Sequence, residues 1–495
     1  MKILMIQPYG SSQPPLGLCQ VSAELKEAGY TDIVLVDLLR GDIDLYSPVR
    51  TKEYLMEQLK KKPDAVLITA STATFREARE IAQLARPYGR VLLLGGPHAT
   101  TFQEKVLEKT PEFDMVVYGE ADETIALLMN RIETNSDFAG IRGVIYRKDG
   151  KIVKNPPVPP IMDLDKLPFP DRDILDIDSY AGPLTILTSR GCPHACTFCS
   201  RPVTGATFRG RSAKNVVDEI EFLLKKYPKT AKKLNNLITL IDENAGVNKA
   251  RLISICDEML ARHVKVTIPF TNGLHVSSAD PVLYSKLKQI GCTALWFGVE
   301  SGSDKILTRI KKGATKETIK KAVRIAHEAG IKNVAGHFII GMEDETIETA
   351  RETIRFVKEA GFDSAAFNHA APQPGTPLWD YARSYGKLLF EYDETIDYSN
   401  FKHDHTAPQF ETPEFTKEER MQAYQEAVQM MDGMTRRKML SVPNILKFLL
   451  NLKSPLDLFW AVRRIYTIHA KQDLRRIIDL RPSLKHRQTK EATNT

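Results

Sequence analysis

Along the first 120 positions the apolar residues come in short unbroken runs, at 2–7, 32–38, 65–69, 90–95 and 115–118, with helix-length stretches of mixed polarity between them. Runs of this length without alternation mark strands buried on both faces. Strands that alternate with helices pair in parallel through right-handed crossovers. The pattern therefore predicts an open, doubly wound α/β sheet over residues 1–150, with its ligand beyond the carboxyl ends of the strands. The alternation resumes later in the chain. Strand patterns at 184–188, 237–241, 264–270, 294–299, 334–340 and 364–368 are interleaved with helical patterns at 213–226, 249–262, 315–329 and 346–360, and Gly330 and Gly361 stand at helix ends. Six such repeats predict a partial (β/α)6 barrel over residues 183–410, with reactive residues on the loops at its carboxyl face.

The remaining stretches break both patterns. Residues 151–182 read as a linker, with six prolines between positions 155 and 170. That composition favours extended backbone without sheet or helix, either a stiff strap between domains or an ordinary spacer. Residues 411–495 read as a helical basic tail. Thr416 and Glu419 form a capping box, and Met421, Tyr424, Val428 and Met431 follow at helical spacing, a stripe most simply packed on the barrel. Segments 444–453 and 458–466 are basic and amphipathic. They suit a membrane surface or an acidic partner, or else a lid or dimer contact.

Composition sharpens this outline. At 495 residues and 42% hydrophobic content the chain has material for about three cores. No apolar stretch approaches the roughly 18 residues that span a bilayer, and the first apolar run is too short for a signal peptide. The net charge of +7 is uneven: from Arg436 onward there are 14 Lys and Arg against four Asp and Glu, so the rest of the chain is near −3. Six cysteines in this length argue for a reducing, cytoplasmic setting, with peripheral membrane contact through the tail as the alternative. Nucleic acid is not an expected partner, because the basic tail shows no recognised nucleic-acid module.

Three of the cysteines, Cys192, Cys196 and Cys199, fall within eight residues, on the loop leaving the strand pattern at 184–188. Three thiolates can hold three irons of a [4Fe–4S] cluster and leave the fourth open to a chelating ligand. A structural zinc site would recruit His194 but usually joins two separated ligand pairs, and an electron-transfer ferredoxin would need a fourth cysteine.

The run Cys-x3-Cys-x2-Cys, with Phe198 before its last cysteine, resembles the signature of radical S-adenosylmethionine (SAM) enzymes. The resemblance implies that SAM binds the open iron and is cleaved by one electron to a 5′-deoxyadenosyl radical, with flavodoxin or ferredoxin as a suitable external reductant. It also implies SAM contacts at strand-end positions in the barrel. Asp242, Glu243, Asn244, Glu300 and Ser301 become candidates for its amino group and ribose, and Phe198 and Gly341 for the neighbourhood of adenine. Singly, an acidic residue at a strand end is more often a helix cap. Arg190, Arg209 and Arg211 would neutralise the cluster or an anion, or form surface ion pairs of little worth.

In the first domain no G-x-G-x-x-G follows the first strand, which speaks against a dinucleotide site. Its PPLGL, GGPHAT and VVYGEADET runs resemble instead the flavodoxin-like, Rossmann-like cobalamin-binding domain fused to many radical SAM enzymes. The cobalamin-contacting candidates are Pro15, Leu16, Gly17, Ser71, Thr72, Thr74, Gly95, Gly96, His98, Gly119 and Glu120. The D-x-H-x-x-G cobalt-ligand motif is absent, and a vestigial domain that docks the barrel without cofactor stays open.

The resemblance as a whole implies a cobalamin-dependent radical SAM enzyme that methylates an unactivated carbon of a small or lipid-like substrate. A cyclase or oxidase of the anaerobic porphyrin type remains an alternative. A tRNA-modifying methylthiotransferase would need three further amino-terminal cysteines where only Cys19 is found. A zinc or iron–sulfur sensor without catalysis would bind its metal and leave SAM intact.

Overall fold

The computed structural model describes residues 1–8, 13–38, 48–390 and 407–439; the basic segments 444–453 and 458–466, and the surface-binding role expected of them, lie outside these. The amino-terminal strands are β1 (Ile3–Gln7), β2 (Ile33–Asp37), β3 (Ala65–Thr69), β4 (Val91–Gly95) and β5 (Met115–Val117), all parallel in the order β2-β1-β3-β4-β5. Helices α1 (Leu16–Glu27), α2 (Lys52–Lys60), α3 (Phe75–Ala85), α4 (Gly96–Phe102), α5 (Glu104–Lys109) and α6 (Asp122–Glu133) connect them. Residues of α1 and α6 pack with Ile3, Met5 and Leu93 on one face, and residues of α2, α3 and α5 pack with Leu4, Ile6 and Leu94 on the other. Two covered faces explain why the strands are continuously apolar. The order in which strands are added reverses between β1 and β3, and the crevice at that switch is where an open sheet of this order takes a ligand.

The sheet does not stop at residue 150. Strands β6 (Val144–Lys148) and β7 (Lys151–Lys154) add an antiparallel hairpin to β5. It turns at Asp149 and Gly150, both with positive φ (49° and 74°). An Asp-Gly pair between strand patterns is the standard signal for such a turn, so the boundary at 150 is corrected to about 154.

The rest of residues 151–182 is not a free spacer either. The Asp171 N–H donates to Cys19 O (3.0 Å), and Ser22 donates to the Asp171 carboxylate (2.6 Å), so the strap lies along α1. Buried Tyr180 donates to Asp37 (2.6 Å), with the Arg50 guanidinium 4.1 Å from its ring centre. The strap is thus a packed wall, held by side chains that proline content does not reveal.

The barrel begins with β8 (Thr185–Ile186), followed by the short pair β9 (Ser189–Arg190) and β10 (Arg209–Gly210), then α7 (Ala213–Lys226) and α8 (Pro228–Lys233). It continues through β11 (Thr239–Leu240), α9 (Lys249–Ala261), β12 (Ile268–Leu274), α10 (Pro281–Gln289) and β13 (Cys292–Glu300). Next come α11 (Asp304–Arg309), α12 (Lys316–Glu328), β14 (Val334–Ile340), α13 (Ile347–Glu359), β15 (Ser364–His369) and α14 (Pro377–Ser384). Strands β8 and β11 are parallel, a bridge from Leu237 to Thr267 joins them to β12, and β12-β13-β14-β15 run parallel. Six parallel strands in chain order form the expected partial (β/α)6 barrel. On β13, buried Leu295, Phe297 and Val299 alternate with half-buried Trp296 and Gly298, the period of a strand with one face on helices and one toward the interior.

A short antiparallel pair, β16 (Lys387–Leu388) with β17 (Phe410–Glu411), precedes α15 (Lys417–Met439). The capping box forms: the Glu419 carboxylate accepts from Thr416 N–H (2.9 Å), and Glu419 N–H donates to the Thr416 hydroxyl (3.3 Å). The buried stripe is Arg420, Ala423 and Ala427, however, and Met421, Tyr424, Val428 and Met431 flank it half-buried. Arg420 lies 4.2 Å over the Phe410 ring and donates to Gly341 O (2.9 Å), which turns the predicted face of this helix. No described helix is long and apolar enough to cross a membrane.

Candidate functional site

The cysteine loop hangs from β9 and β10 at the carboxyl end of β8. Gly191, at φ 82°, opens it; a Cβ there would stand 2.2 Å from Thr207 O, so only glycine lets the two limbs approach. Inside the loop, Cys192 N–H donates to Gly205 O (3.3 Å) and Cys199 N–H to Cys196 O (3.2 Å). Arg201 donates to Cys192 O. Thr197 ties the loop to the barrel, its N–H on Ile310 O (3.1 Å) and its hydroxyl on the Glu343 carboxylate (3.0 Å). Phe198 packs on the cluster of Ile306, Ile310, Met342 and Leu378.

All three thiols are free of disulfides, with Cys192 buried, Cys196 half-buried and Cys199 exposed. Among the described residues no three His, Cys, Asp or Glu side chains converge as ligands of a single metal ion. A [4Fe–4S] cube takes each thiolate on a different iron, so it needs three thiols around a space and not at a point. The donor set on this loop fits that requirement, and the ring of His194 is stacked on that of His275 (4.0 Å between centres).

A buried cation stands beside these thiols. Lys312 donates to Glu300 (3.0 Å). Burial opposes its charge, but the Glu300 carboxylate and the nearby Cys196 and Cys199 outweigh it and hold the ammonium pKa above its usual value. Glu300 is aimed there by an irregularity in the β13–β14 register at Gly298 and Glu300, and by its own φ of 70°, which is uncommon for a residue with a side chain. Sequence reading missed Lys312, since a lysine within the surface-like run Lys311-Lys312-Gly313 has no marker until the fold buries it.

The other SAM candidates divide. Asp242 is buried and its carboxylate accepts from Thr188 N–H (3.1 Å), the Thr188 hydroxyl (2.6 Å) and the Ser189 hydroxyl, so it braces the base of the cysteine loop. Ser301 is buried against Thr353 and Ser303 N–H, and Asn244 caps its own turn through Gly246 N–H (3.1 Å). All three brace the local fold through these bonds, Asn244 through its Oδ1 alone. Glu243 is exposed and accepts from Thr204 (2.6 Å). Gly341 (φ 96°) sits under Arg420, with its N–H turned to Glu345.

Between the two domains lies a cavity of about 420 Å³. Its floor is the carboxyl edge of β1, β3, β4 and β5, through Gln7, Thr69, Gly95 and Gly119; Leu187, Val203 and Ile241 come from the barrel, and Leu167 and Phe169 from the strap. Pro15, Leu16, Gly17, Gly95, Gly96, Gly119 and Glu120 all line it. A Cβ on Gly17 or Gly119 would meet nothing within 4 Å, so the wall there is bare backbone that a flat ligand can approach. That cradle, at the switch point, fits cobalamin.

Ser71, Thr72, Thr74 and His98 are not among the residues that line this cavity. Ser71 and Thr74 cap one another (Ser71 N–H to Thr74 Oγ1, 3.0 Å). Buried Thr72 lies in the same turn, and His98 points into the core. Its ring stacks on Phe75 (3.8 Å) and near Phe102 (4.5 Å), both nitrogens lack hydrogen-bond partners, and burial pushes its pKa down to about 3. The unfolded chain therefore binds the extra proton below about pH 6.5, and stability contributed above that pH is lost as pH falls toward 3. His98→Phe is expected to leave the unfolding free energy read from urea denaturation nearly unchanged at pH 7.5 and to raise it at pH 5 by about 1–2 kcal/mol. Equal pH slopes for both proteins would contradict this.

The arginines are not loose surface pairs. Arg209 and Arg190 reach across to Glu120 and Asp122, while Arg172 and Arg211 enclose Glu219; every one of these side chains is at most 13% exposed.

With this geometry in place, similarity to known proteins is informative. The profile of the B12 binding domain matches residues 3–129, and that of the Radical SAM superfamily matches residues 186–357. An uncharacterized methyltransferase of Pyrococcus horikoshii is 33% identical over 406 residues, covering 79% of this chain and 84% of its own. The anaerobic magnesium-protoporphyrin IX monomethyl ester cyclase of Rubrivivax gelatinosus is 29% identical, covering 77% and 69%. In fold, the chain is similar to the radical SAM methyltransferase TsrM of Kitasatospora setae, solved with cobalamin and a [4Fe–4S] cluster: TM-score 0.66 at 18% identity, covering 88% of this chain and 89% of that one.

Proposed function

Given that the chain belongs to the cobalamin-dependent radical SAM enzymes, with a [4Fe–4S] cluster, SAM and cobalamin as its cofactors, we propose that it methylates an unactivated carbon of a small or lipid-like substrate. The single observation that carries this reading is the cavity shared by the cobalamin cradle and the barrel that bears the cysteine loop. When bound, the cluster with SAM supplies hydrogen abstraction and cobalamin supplies a methyl group.

The chain's own residues bind, orient and exclude water. Cys192, Cys196 and Cys199 would hold the cluster, and the Lys312–Glu300 pair sets the charge beside it. Phe198 and Gly341 are the proposed neighbours of adenine, and Glu243 and Glu300 remain the candidates for the polar parts of SAM. Pro15, Leu16, Gly17, Gly95, Gly96 and Gly119 would support cobalamin. Leu187, Val203, Ile241 and Phe169 make the facing wall apolar, which favours an uncharged reacting carbon and keeps water from a reactive site. The catalytic groups are the cofactors, in keeping with a site that assembles no Ser-His-Asp set.

The test is an anaerobic incubation of the reconstituted protein with a reductant, small-molecule and lipid extracts, and SAM carrying a deuterated methyl group. A product bearing the labelled methyl is expected alongside 5′-deoxyadenosine. Formation of 5′-deoxyadenosine with a product that has only lost hydrogen, and carries no label, would replace methylation by ring closure or oxidation.

A further inference from the structure

We propose that a buried four-charge clamp makes the cobalamin and SAM sites energetically interdependent. The clamp joins the turn after β5 to the base of the cysteine loop. Arg209 grips Glu120 with two bonds (2.8 and 2.7 Å), and Arg190 grips Asp122 with two more (2.9 and 2.8 Å) while standing 3.5 Å from Glu120. Arg209 also donates to Thr204 O (2.9 Å) inside the cysteine loop and to Ile161 O (3.0 Å) in the strap, and Ile161 N–H returns a bond to Glu120 (3.3 Å). The four side chains are between 0 and 13% exposed.

Position gives this arrangement its consequence. Gly119, Glu120, Ala121 and Asp122 form part of the cavity wall, as does Arg190. Arg190 and Arg209 are the paired residues of β9 and β10, from which the loop carrying all three cysteines departs and to which it returns. A ligand that fills the cavity settles the turn. The turn's carboxylates settle the two guanidinium forks, and the forks settle the mouth of the loop. Two-pronged pairs in a desolvated setting allow few alternative geometries, so the restraint passes on and is not absorbed. Linkage then requires the effect to run both ways: whatever cobalamin does for SAM affinity, SAM does for cobalamin affinity. Glu120, Asp122, Arg190 and Arg209 are in this sense positioning residues. Their role rests on the two cofactors and not on the choice of substrate.

The experiment measures coupling, and activity is not its readout. The full chain with its cluster reconstituted is titrated with SAM by anaerobic equilibrium dialysis, with and without saturating hydroxocobalamin, and the reciprocal titration is run. Each ligand is expected to tighten the other about 5–150-fold, the usual span of such couplings. Glu120→Gln is expected to bring that factor toward one even where it also weakens cobalamin binding itself, and Arg209→Lys to do the same. Should either variant fail to load its cluster, Asp122→Asn, which leaves the Arg209–Glu120 pair in place, is used and is expected to lower the factor part of the way. No coupling in the wild type, or an unchanged factor in the variants, overturns the proposal. Failure of the wild type to take up cobalamin at all would instead strike the cofactor assignment, so the two failures are distinguishable.

Discussion

Cys192→Ala, Cys196→Ala and Cys199→Ala are each expected to remove the visible absorption of the iron–sulfur cluster and, with it, SAM cleavage. The rate loss should be at least ~10⁶-fold, the low end of what enzymes add to a reaction, because no amino-acid side chain can replace the cluster's electron. The three remaining cysteines provide the internal control. Cys19, Cys256 and Cys292 are buried away from the loop, and burial pushes each thiol up to about 12, so they are protonated and poor ligands. Cys256→Ala is accordingly expected to retain the full cluster absorption. Anaerobic reconstitution followed by absorption spectroscopy and chromatography of 5′-deoxyadenosine decides both arms. A loop variant that keeps its colour and still cleaves SAM would end the assignment.

Glu219→Ala is expected to produce the largest loss of stability of these variants, at a residue that does not itself line the cavity. Glu219, on α7, is fully buried and receives Arg172 of the strap (2.7 Å) on one oxygen and Arg211, just after β10, on the other. Arg172 also donates to Thr185 O (2.5 Å) and Arg211 to Leu187 O (2.9 Å), so the two cations are fixed to the first barrel strand and its exit. Removing the carboxylate leaves two guanidinium groups out of water with no counter-charge. Breaking a buried pair from one side costs about 3–5 kcal/mol. Urea unfolding should show a midpoint lowered to match. A midpoint equal to that of the wild type would mean that both arginines regain solvent, and that the strap is less firmly seated than its contacts indicate.

What could be read in advance follows from what local sequence encodes. A continuous apolar run reports a strand covered on both faces, so all five parallel strands of the first sheet and the six of the barrel were placed within a few residues. The helices at 213–226 and 315–329 were legible because each has a capping residue, Ser212 or Thr315, and an apolar stripe of helical period. The hairpin at 144–154 is marked in the sequence too, by Asp149 and Gly150 between its strands. Proline-rich composition at 155–170 misled, since composition describes backbone preference and not what side chains such as Arg172 and Tyr180 later find.

By itself, then, the sequence determined the α/β architecture of a doubly wound sheet followed by a partial barrel, the place of the three-cysteine loop at the exit of the first barrel strand, and the glycines at the first sheet's edge. Each of these is written in residues close together along the chain, where period, spacing and residue type act directly. Only the tertiary structure decided which polar residues brace and which face the cavity. It took Asp242 and Ser301 into supporting bonds, turned His98 into the core, and set Lys312 beside the thiols. It also closed Arg190 and Arg209 onto Glu120 and Asp122. The bonds of Asp242, Arg190 and Arg209 depend on a charge meeting its partner 50 to 90 positions away after water has been excluded, and no local pattern carries that information.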